Sequence, residues 1–169
     1  MGSMPRNKAS VDVIVGTRPE AIKMAPVIRE LQGFSEEFSV RVISTGQHRE
    51  MLDQVLDNFA LSADVDLAIM TRNQSLSGIA SRSLAKLDQV LESDPSDLVL
   101  VHGDTTTTLA ASIAAFHRRI PVGHVEAGLR SFDMENPFPE EANRRICDSI
   151  CSMHFAPTRL SVDNLIAEG

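Results

Sequence analysis

The sequence predicts an α/β domain in which a parallel sheet is covered by helices on both faces, a three-layer αβα architecture, and three observations predict it. Short apolar runs rich in β-branched residues, such as Val11 to Val15 and Leu98 to Val101, alternate with longer stretches whose apolar residues recur at helical spacing. That alternation of strand and helix holds along the chain, and it favours parallel pairing through right-handed crossovers. Glycines punctuate the ends of the runs, at Gly16, Gly46, Gly103 and Gly128, as turns out of strands require. The 169 residues suit one domain with a continuous core, and no repeat, low-complexity stretch or linker interrupts them.

Val11-Asp12-Val13-Ile14-Val15 is the first strand, and Gly16-Thr17-Arg18-Pro19-Glu20 turns it into a helix. Proline suits the first helical turn because its missing N–H would be unpaired there, and Glu20 complements the positive end of the helix dipole. Ile22, Ala25, Val27, Ile28 and Leu31 form the apolar face, Gly33 ends it, and Pro26 in the middle predicts a kink or break. Ser39 to Thr45 is the second strand, and Gly46-Gln47-His48-Arg49 leads into a helix carrying Leu52, Val55, Leu56 and Phe59. A weaker third strand spans Asp64 to Ile69. After the polar loop Met70 to Gln74, Ser75 opens a helix that runs to about Glu92. Leu98 to Val101, an alanine-rich helix and Pro121 to Val125 make the central strand, helix, strand unit. An irregular loop from Ser131 to Phe138 precedes a helix opened by Pro139-Glu140-Glu141, with Ala142, Ile146, Ile150 and Met153 as its apolar positions. The strand His154-Phe155-Ala156 and a terminal helix with Leu160, Val162, Leu165 and Ile166 follow.

Composition narrows the function classes. A formal charge of −7 with no Lys/Arg-rich block argues against a nucleic-acid surface, and no run has the length of a membrane span or a signal sequence. Cys147 and Cys151 fit neither a zinc pattern nor a disulfide framework, so a reducing cytoplasm is expected and both thiols are expected to pack. Met1 to Met4 reads as a leftover of expression, with the domain proper over residues 5–169.

If the strands take the doubly wound order, the first and fourth lie side by side where the order reverses, and ligands gather at such a point outside the carboxyl ends of the strands. Gly16-Thr17-Arg18 then meets Gly103-Asp104-Thr105, and Glu126 joins from the fifth strand. The first turn is neither the dinucleotide fingerprint nor a Walker loop. It offers N–H groups at a helix start, with the Arg18 cation beside them and Lys23 one turn on, which suits a diphosphate; a plain capped turn explains it equally well. Asp104 can be a helix N-cap, but the four threonines after it are poor helix formers and make better sense as hydroxyls lining a cleft. A charge at the end of a buried strand must be paired or functional, which singles out Glu126. Glu140 and Glu141 suit a first helical turn, and Arg144 can hold Glu140 or reach a ligand. Several carboxylates around one cleft can divide acid and base roles if their surroundings separate their pKa values. His48, His102 and His124 near Asp104 raise a metal site, but without the ligand spacing that zinc proteases show.

Five blocks then carry a resemblance: Gly16-Thr17-Arg18-Pro19-Glu20-Ala21, Thr45-Gly46-Gln47-His48, Val101-His102-Gly103-Asp104-Thr105, His124-Val125-Glu126-Ala127-Gly128-Leu129-Arg130 and Pro139-Glu140-Glu141-Ala142-Asn143-Arg144. Together and in order they resemble the non-hydrolysing UDP-N-acetylglucosamine 2-epimerases of bacteria. The resemblance implies a Rossmann-like domain that is one half of a GT-B-like enzyme, with the active site between two such domains. It implies interconversion of UDP-GlcNAc and UDP-ManNAc with no cofactor, neither NAD nor metal, by elimination of UDP to 2-acetamidoglucal and its re-addition. Carried over by position, Asp104, Glu126 and Glu140 resemble the acid/base carboxylates, and Arg18, Lys23 and Arg144 the cations that place the ligand. Gln47 and Gln74 resemble positions where bacterial members bind a second UDP-GlcNAc as activator, although Asn73 stands where some members carry arginine. Members of the family are about twice this length, so the chain is expected to be an N-terminal domain whose missing C-terminal partner supplies most UDP contacts, and to have little activity alone. A homodimer serving cell-envelope polysaccharide is the implied setting. A GT-B glycosyltransferase half, a hydrolysing relative and a non-catalytic binding or assembly domain are the competing readings.

Overall fold

The computed structural model describes residues 8–46, 49–71 and 74–169; Gln47, His48, Arg72 and Asn73 lie outside them. In chain order the elements are β1 (Ala9–Val15), α1 (Arg18–Gly33), β2 (Phe38–Ser44), α2 (Arg49–Asn58), β3 (Val65–Asp66), α3 (Leu76–Ser93), β4 (Leu98–His102), α4 (Thr106–His117), β5 (Val122–Val125), α5 (Glu140–Ile150), β6 (Met153–Phe155) and α6 (Arg159–Glu168). The strands form one parallel sheet in the order β3-β2-β1-β4-β5-β6, so β1 and β4 are neighbours at the reversal of strand order. The three-layer αβα arrangement expected from the sequence is therefore the one observed.

Because successive strand side chains point to opposite faces, the sheet feeds two cores. Val11, Val13, Val15, Val42 and Leu100 pack beneath α1 and α2 with Met24, Ile28, Leu52 and Leu56. Ile14, Ile43, Val99 and Val101 pack on the other face against Leu87, Leu91 and the small residues Ala111, Ala114 and Ala115, which let α4 lie close to the sheet and to α3.

Five local expectations are corrected. Helix α1 runs unbroken through Pro26, which faces solvent, as does Ile22 whose carbonyl loses its partner; water can satisfy that carbonyl. Ile22 is thus outside the core, and Met24 is inside it. Strand β3 is only two residues long, though Leu67 and Ile69 extend its pairing by donating to the carbonyls of Ser44 and Thr45. Helix α5 buries Glu141, Asn143, Arg144, Cys147 and Asp148 and leaves Ile146 exposed, the reverse of an apolar inner face. Leu160 and Ile166 of α6 are likewise exposed.

Candidate active site

The turns after β1, β4 and β5 meet in a cleft of about 540 Å³ lined by Thr17, Arg18, Pro19, Glu20, Lys23, His102, Gly103, Asp104, Thr105 and Glu126. Adjacency of β1 and β4 brings residues 17–23 against residues 102–105, and β5 adds Glu126 from the other side of β4. Four of the six residues expected at the site, Arg18, Lys23, Asp104 and Glu126, line this one cavity. Arg144 reaches it from α5, with Nη2 3.6 Å from Asp104 Oδ2. Glu140 is half-buried beside it and outside the lining, close enough for its charge to act on Asp104.

Each turn is built by specific contacts. Glu20 folds back under the first turn: its Oε2 accepts from the Gly16 and Thr17 amides at 2.6 and 3.0 Å, and its Oε1 from Thr105 Oγ1 at 2.8 Å. This carboxylate ties the turn after β1 to the turn after β4. Gly16 cannot carry a side chain there, since a Cβ would lie 2.8 Å from Thr45 Oγ1 and 3.0 Å from Thr107 Cγ2. In the β4 turn Gly103 has φ +70°, a left-handed backbone that glycine adopts without steric cost. Three consecutive carbonyls of that turn are held by side chains: His102 by Thr108 Oγ1 at 2.7 Å, Gly103 by His124 Nε2 at 2.7 Å, and Asp104 by Asn143 Nδ2 at 2.9 Å.

The helix cap corrects the sequence reading. Thr105, not Asp104, is the N-cap of α4, its hydroxyl accepting from the Thr108 amide at 3.1 Å. Asp104 is thereby left free of capping and points to the cleft. Of the four threonines only Thr105 lines the cavity; Thr107 and Thr108 are buried in the fold.

Charge is distributed unevenly around the cleft. Burial, reinforced by Glu140 and Glu126 and opposed by Arg144, holds the Asp104 carboxyl above its ordinary pKa. Burial does the same for Glu20 despite its three donors. Glu126 has φ +68°, a conformation that costs a non-glycine residue roughly 1–2 kcal/mol, and is kept there by its amide and that of Ala127, both donating to the Phe155 carbonyl. Its carboxylate receives Lys23 Nζ at 2.5 Å and lies 3.5 Å from His102 Nε2. His102 is buried, and desolvation lowers its pKa against the opposing pull of Glu126. The sequence raises His102 only as a metal ligand and Glu20 only as a first-turn acid; the Thr17-x-x-Glu20 spacing of a capping box is the signal that marks Glu20.

Glu141, read as a first-turn acid, is fully buried and accepts from the Ser131 and Phe132 amides at 2.9 and 3.2 Å while pairing with Arg144 Nε at 3.2 Å. It closes the loop before α5 and orients the guanidinium that faces Asp104. Gln74 lies away from the cleft before α3, its Oε1 receiving Arg82 at 2.6 Å and the Thr71 amide at 3.3 Å; Gln47 is outside the described residues. Among the described residues no group of three or more His, Cys, Asp or Glu could hold a metal ion, and no helix is long and apolar enough to cross a membrane. Cys147 is buried and Cys151 partly so, and desolvation pushes both thiols up to about 12, so they pack as expected.

Residues 29–169 match the family model described as UDP-N-acetylglucosamine 2-epimerase. The chain is 57% identical over 155 residues to the UDP-N-acetylglucosamine 2-epimerase of Neisseria meningitidis, covering 92% of itself and 41% of that protein. It is 53% identical over 161 residues to the Bacillus subtilis enzyme of the same name, covering 95% and 42%. Among solved structures, it superposes on the N. meningitidis UDP-GlcNAc 2-epimerase bound to UDP-GlcNAc with a TM-score of 0.91 at 56% identity, over 94% of this chain and 43% of that one. The Methanocaldococcus jannaschii UDP-GlcNAc 2-epimerase in complex with UDP-GlcNAc and UDP gives a TM-score of 0.88 at 37% identity, over 95% and 43%. The chain thus spans about two fifths of the length of these relatives.

Proposed function

The chain belongs to the UDP-N-acetylglucosamine 2-epimerase family, and from that premise we propose that it is the N-terminal, carboxylate-bearing half of a GT-B-like isomerase that interconverts UDP-GlcNAc and UDP-ManNAc. The observation that carries this is the convergence of Arg18, Lys23, Asp104 and Glu126 on one cleft, with Arg144 at its edge. Epimerisation at C2 requires a proton to leave one face of the sugar and another to arrive on the opposite face. That calls for two acid/base groups in different protonation states at one pH.

The cleft meets that demand. Asp104, with its pKa raised, is suited to carry a proton, and Glu126 is the second carboxylate facing the same cleft, with Lys23 on it. Glu140, whose charge already acts on Asp104, is the third member of the acid/base set. Removal of the C2 proton with loss of UDP gives 2-acetamidoglucal, and re-addition of UDP with protonation from the other face gives the epimer. Arg18 at the helix start is placed to hold the diphosphate that departs and returns, and Arg144 to hold the reacting sugar against Asp104. In this reading the rest of the enzyme, a C-terminal domain, supplies most UDP contacts, the complete protein works as a cytoplasmic homodimer, and ManNAc goes to cell-envelope polysaccharide. Gln47 and Gln74 belong to an activator site for a second UDP-GlcNAc.

The test is turnover of UDP-GlcNAc in D2O followed by NMR. The complete protein is expected to yield UDP-ManNAc with deuterium at C2, and the 169-residue chain alone little or none. Release of free ManNAc, or product without deuterium at C2, would overturn the proposed chemistry.

A further inference from the structure

Beneath the cleft lies a buried charge network that the acid/base chemistry does not use. The His124 side chain is wholly buried. Its Nδ1 is 2.6 Å from Asp148 Oδ1 and its Nε2 is 2.7 Å from the Gly103 carbonyl oxygen. A carbonyl oxygen can only accept. Asp148 also only accepts: burial would raise its pKa, but the hydrogen bonds from His124 and Arg130 overcome that and hold it below the ordinary range, so it is a carboxylate. Its other oxygen receives Arg130 Nη2 at 2.8 Å and the Gly128 amide at 3.2 Å. Both nitrogens of His124 therefore face acceptors, and the imidazolium is the form that satisfies both.

The network joins every element that bears a site carboxylate. Asp148 is on α5, two turns on from Glu140; Gly128 and Arg130 follow Glu126; His124 is on β5; and Gly103 precedes Asp104. We propose that His124 is a positioning residue for the acid/base site: an imidazolium braced by Asp148 that grips the Gly103 carbonyl and so fixes how the Asp104 carboxyl enters the cleft. Asn143, gripping the next carbonyl, is the second half of the same clamp. His124 touches no cleft surface, so it acts through Asp104. The brace itself stands on the hydrogen-bond geometry around His124 and the ionised state of Asp148, while its catalytic consequence rests on the epimerase reading.

Two experiments separate these. In the ¹⁵N-labelled chain, long-range ¹H–¹⁵N correlation of the imidazoles at pH 7 is expected to show protons on both ring nitrogens of His124; a single neutral tautomer there overturns the brace without touching the epimerase reading. In the complete enzyme, H124Q keeps a donor toward Gly103 and loses the cation, and H124A loses both. H124A is expected to lower kcat about a hundredfold, the scale that misplacement by about 1 Å produces, with KM for UDP-GlcNAc nearly unchanged and H124Q recovering part of the loss. Unchanged kcat in folded H124A, or a loss confined to KM, overturns the positioning role. A doubly protonated His124 in a complete protein that does not epimerise UDP-GlcNAc would sink the functional reading and leave the brace intact.

Discussion

At the amino end of the sheet Arg41 closes two hydrogen bonds on Asp12, at 2.8 and 2.7 Å, and also bonds Asp94, while Asp97 accepts from the Ser10 amide and hydroxyl at 2.8 Å. At the carboxyl end Arg144 stops 3.6 Å from Asp104, beyond hydrogen-bonding distance, and Lys23 serves Glu126 alone. The directions of the pKa shifts follow. Hydrogen bonds from Ser10 hold Asp97 below the usual carboxylate range and those from Arg118 do the same for Asp88, whereas burial pushes Asp104 and Glu20 above it. Away from the cleft, charges are settled by their partners and serve the fold. At the cleft, burial outweighs the partners of Asp104 and Glu20 and holds both carboxyls above the usual range, the kind of perturbation that marks a candidate functional site.

The largest expected effect separates these roles on the cleft side. In the complete enzyme Asp104→Asn should cost about a thousandfold in turnover, within the range for loss of a general acid or base. Its urea midpoint should stay close to wild type, because Asp104 makes no close ion pair to lose. A midpoint that falls with the activity would mean that Asp104 is a structural charge like those at the other end.

Asp12→Ala probes the amino end. Asp12 is 2% exposed and holds a guanidinium whose side chain is 21% exposed, so removing it takes away two of that cation's hydrogen bonds and leaves it held by Asp94. The variant should lose about 2 kcal/mol in urea denaturation, the scale of hydrogen bonds to a charged group rather than of an uncompensated buried charge, because Asp94 still holds the cation. UDP-GlcNAc turnover per folded molecule in the complete enzyme should be unaffected. A loss of turnover without a loss of stability would erase the distinction between the two ends.

The comparison also fixes a sign for pH. A carboxyl whose folded-state pKa lies above its unfolded value of about 4.5 binds more protons folded than unfolded between the two. Stability contributed by such a group is present at low pH and lost as pH rises through that window. Glu20 should therefore make the chain less stable from about pH 4.5 upward, and Glu20→Gln, which can still accept from the Gly16 and Thr17 amides, should flatten that decline. Asp97 works in the opposite sense, losing its contribution as pH falls through its lowered pKa. Urea midpoints of wild type and Glu20→Gln across pH 4 to 8 measure the difference, and a Glu20→Gln curve parallel to wild type would show that burial does not govern this carboxyl.

What could be read from the sequence divides along the same line. The alternation of elements and the handedness of crossovers predict a parallel sheet, and the doubly wound order, taken from the sequence only as a condition, is the one observed; it brings Arg18 and Lys23 to Asp104 and Glu126. The distant partners of the buried charges are not legible, because they are not periodic. Glu20 is buried on the amides of Gly16 and Thr17 and the hydroxyl of Thr105, and Glu141 on the amides of Ser131 and Phe132. The Thr17-x-x-Glu20 spacing is that of a capping box and announces the contact of Glu20 with the Thr17 amide, but no local rule announces its bond to Thr105 or the contacts of Glu141 with the loop before α5. For the same reason the apolar positions Ala142, Ile146 and Ile150 do not mark the inner face of α5, which Glu141, Arg144 and Asp148, spaced three and four apart, form instead.

The smallest expected effect asks whether a single hydroxyl serves both fold and cleft. Ser75 caps α3 and Thr105 caps α4, each accepting from the amide three residues on at 3.1 Å. Replacing either by alanine should cost about 1 kcal/mol, the usual loss of an N-cap. Thr105 differs in that its hydroxyl also donates to Glu20, a contact that favours the ionised carboxylate. Thr105→Ala should therefore raise the Glu20 pKa further and extend the decline of stability to higher pH, while Ser75→Ala should lower stability evenly across pH. If the two variants differ from wild type by the same amount at every pH, Thr105 is only a cap, and the turns after β1 and β4 are joined by packing rather than by that hydrogen bond.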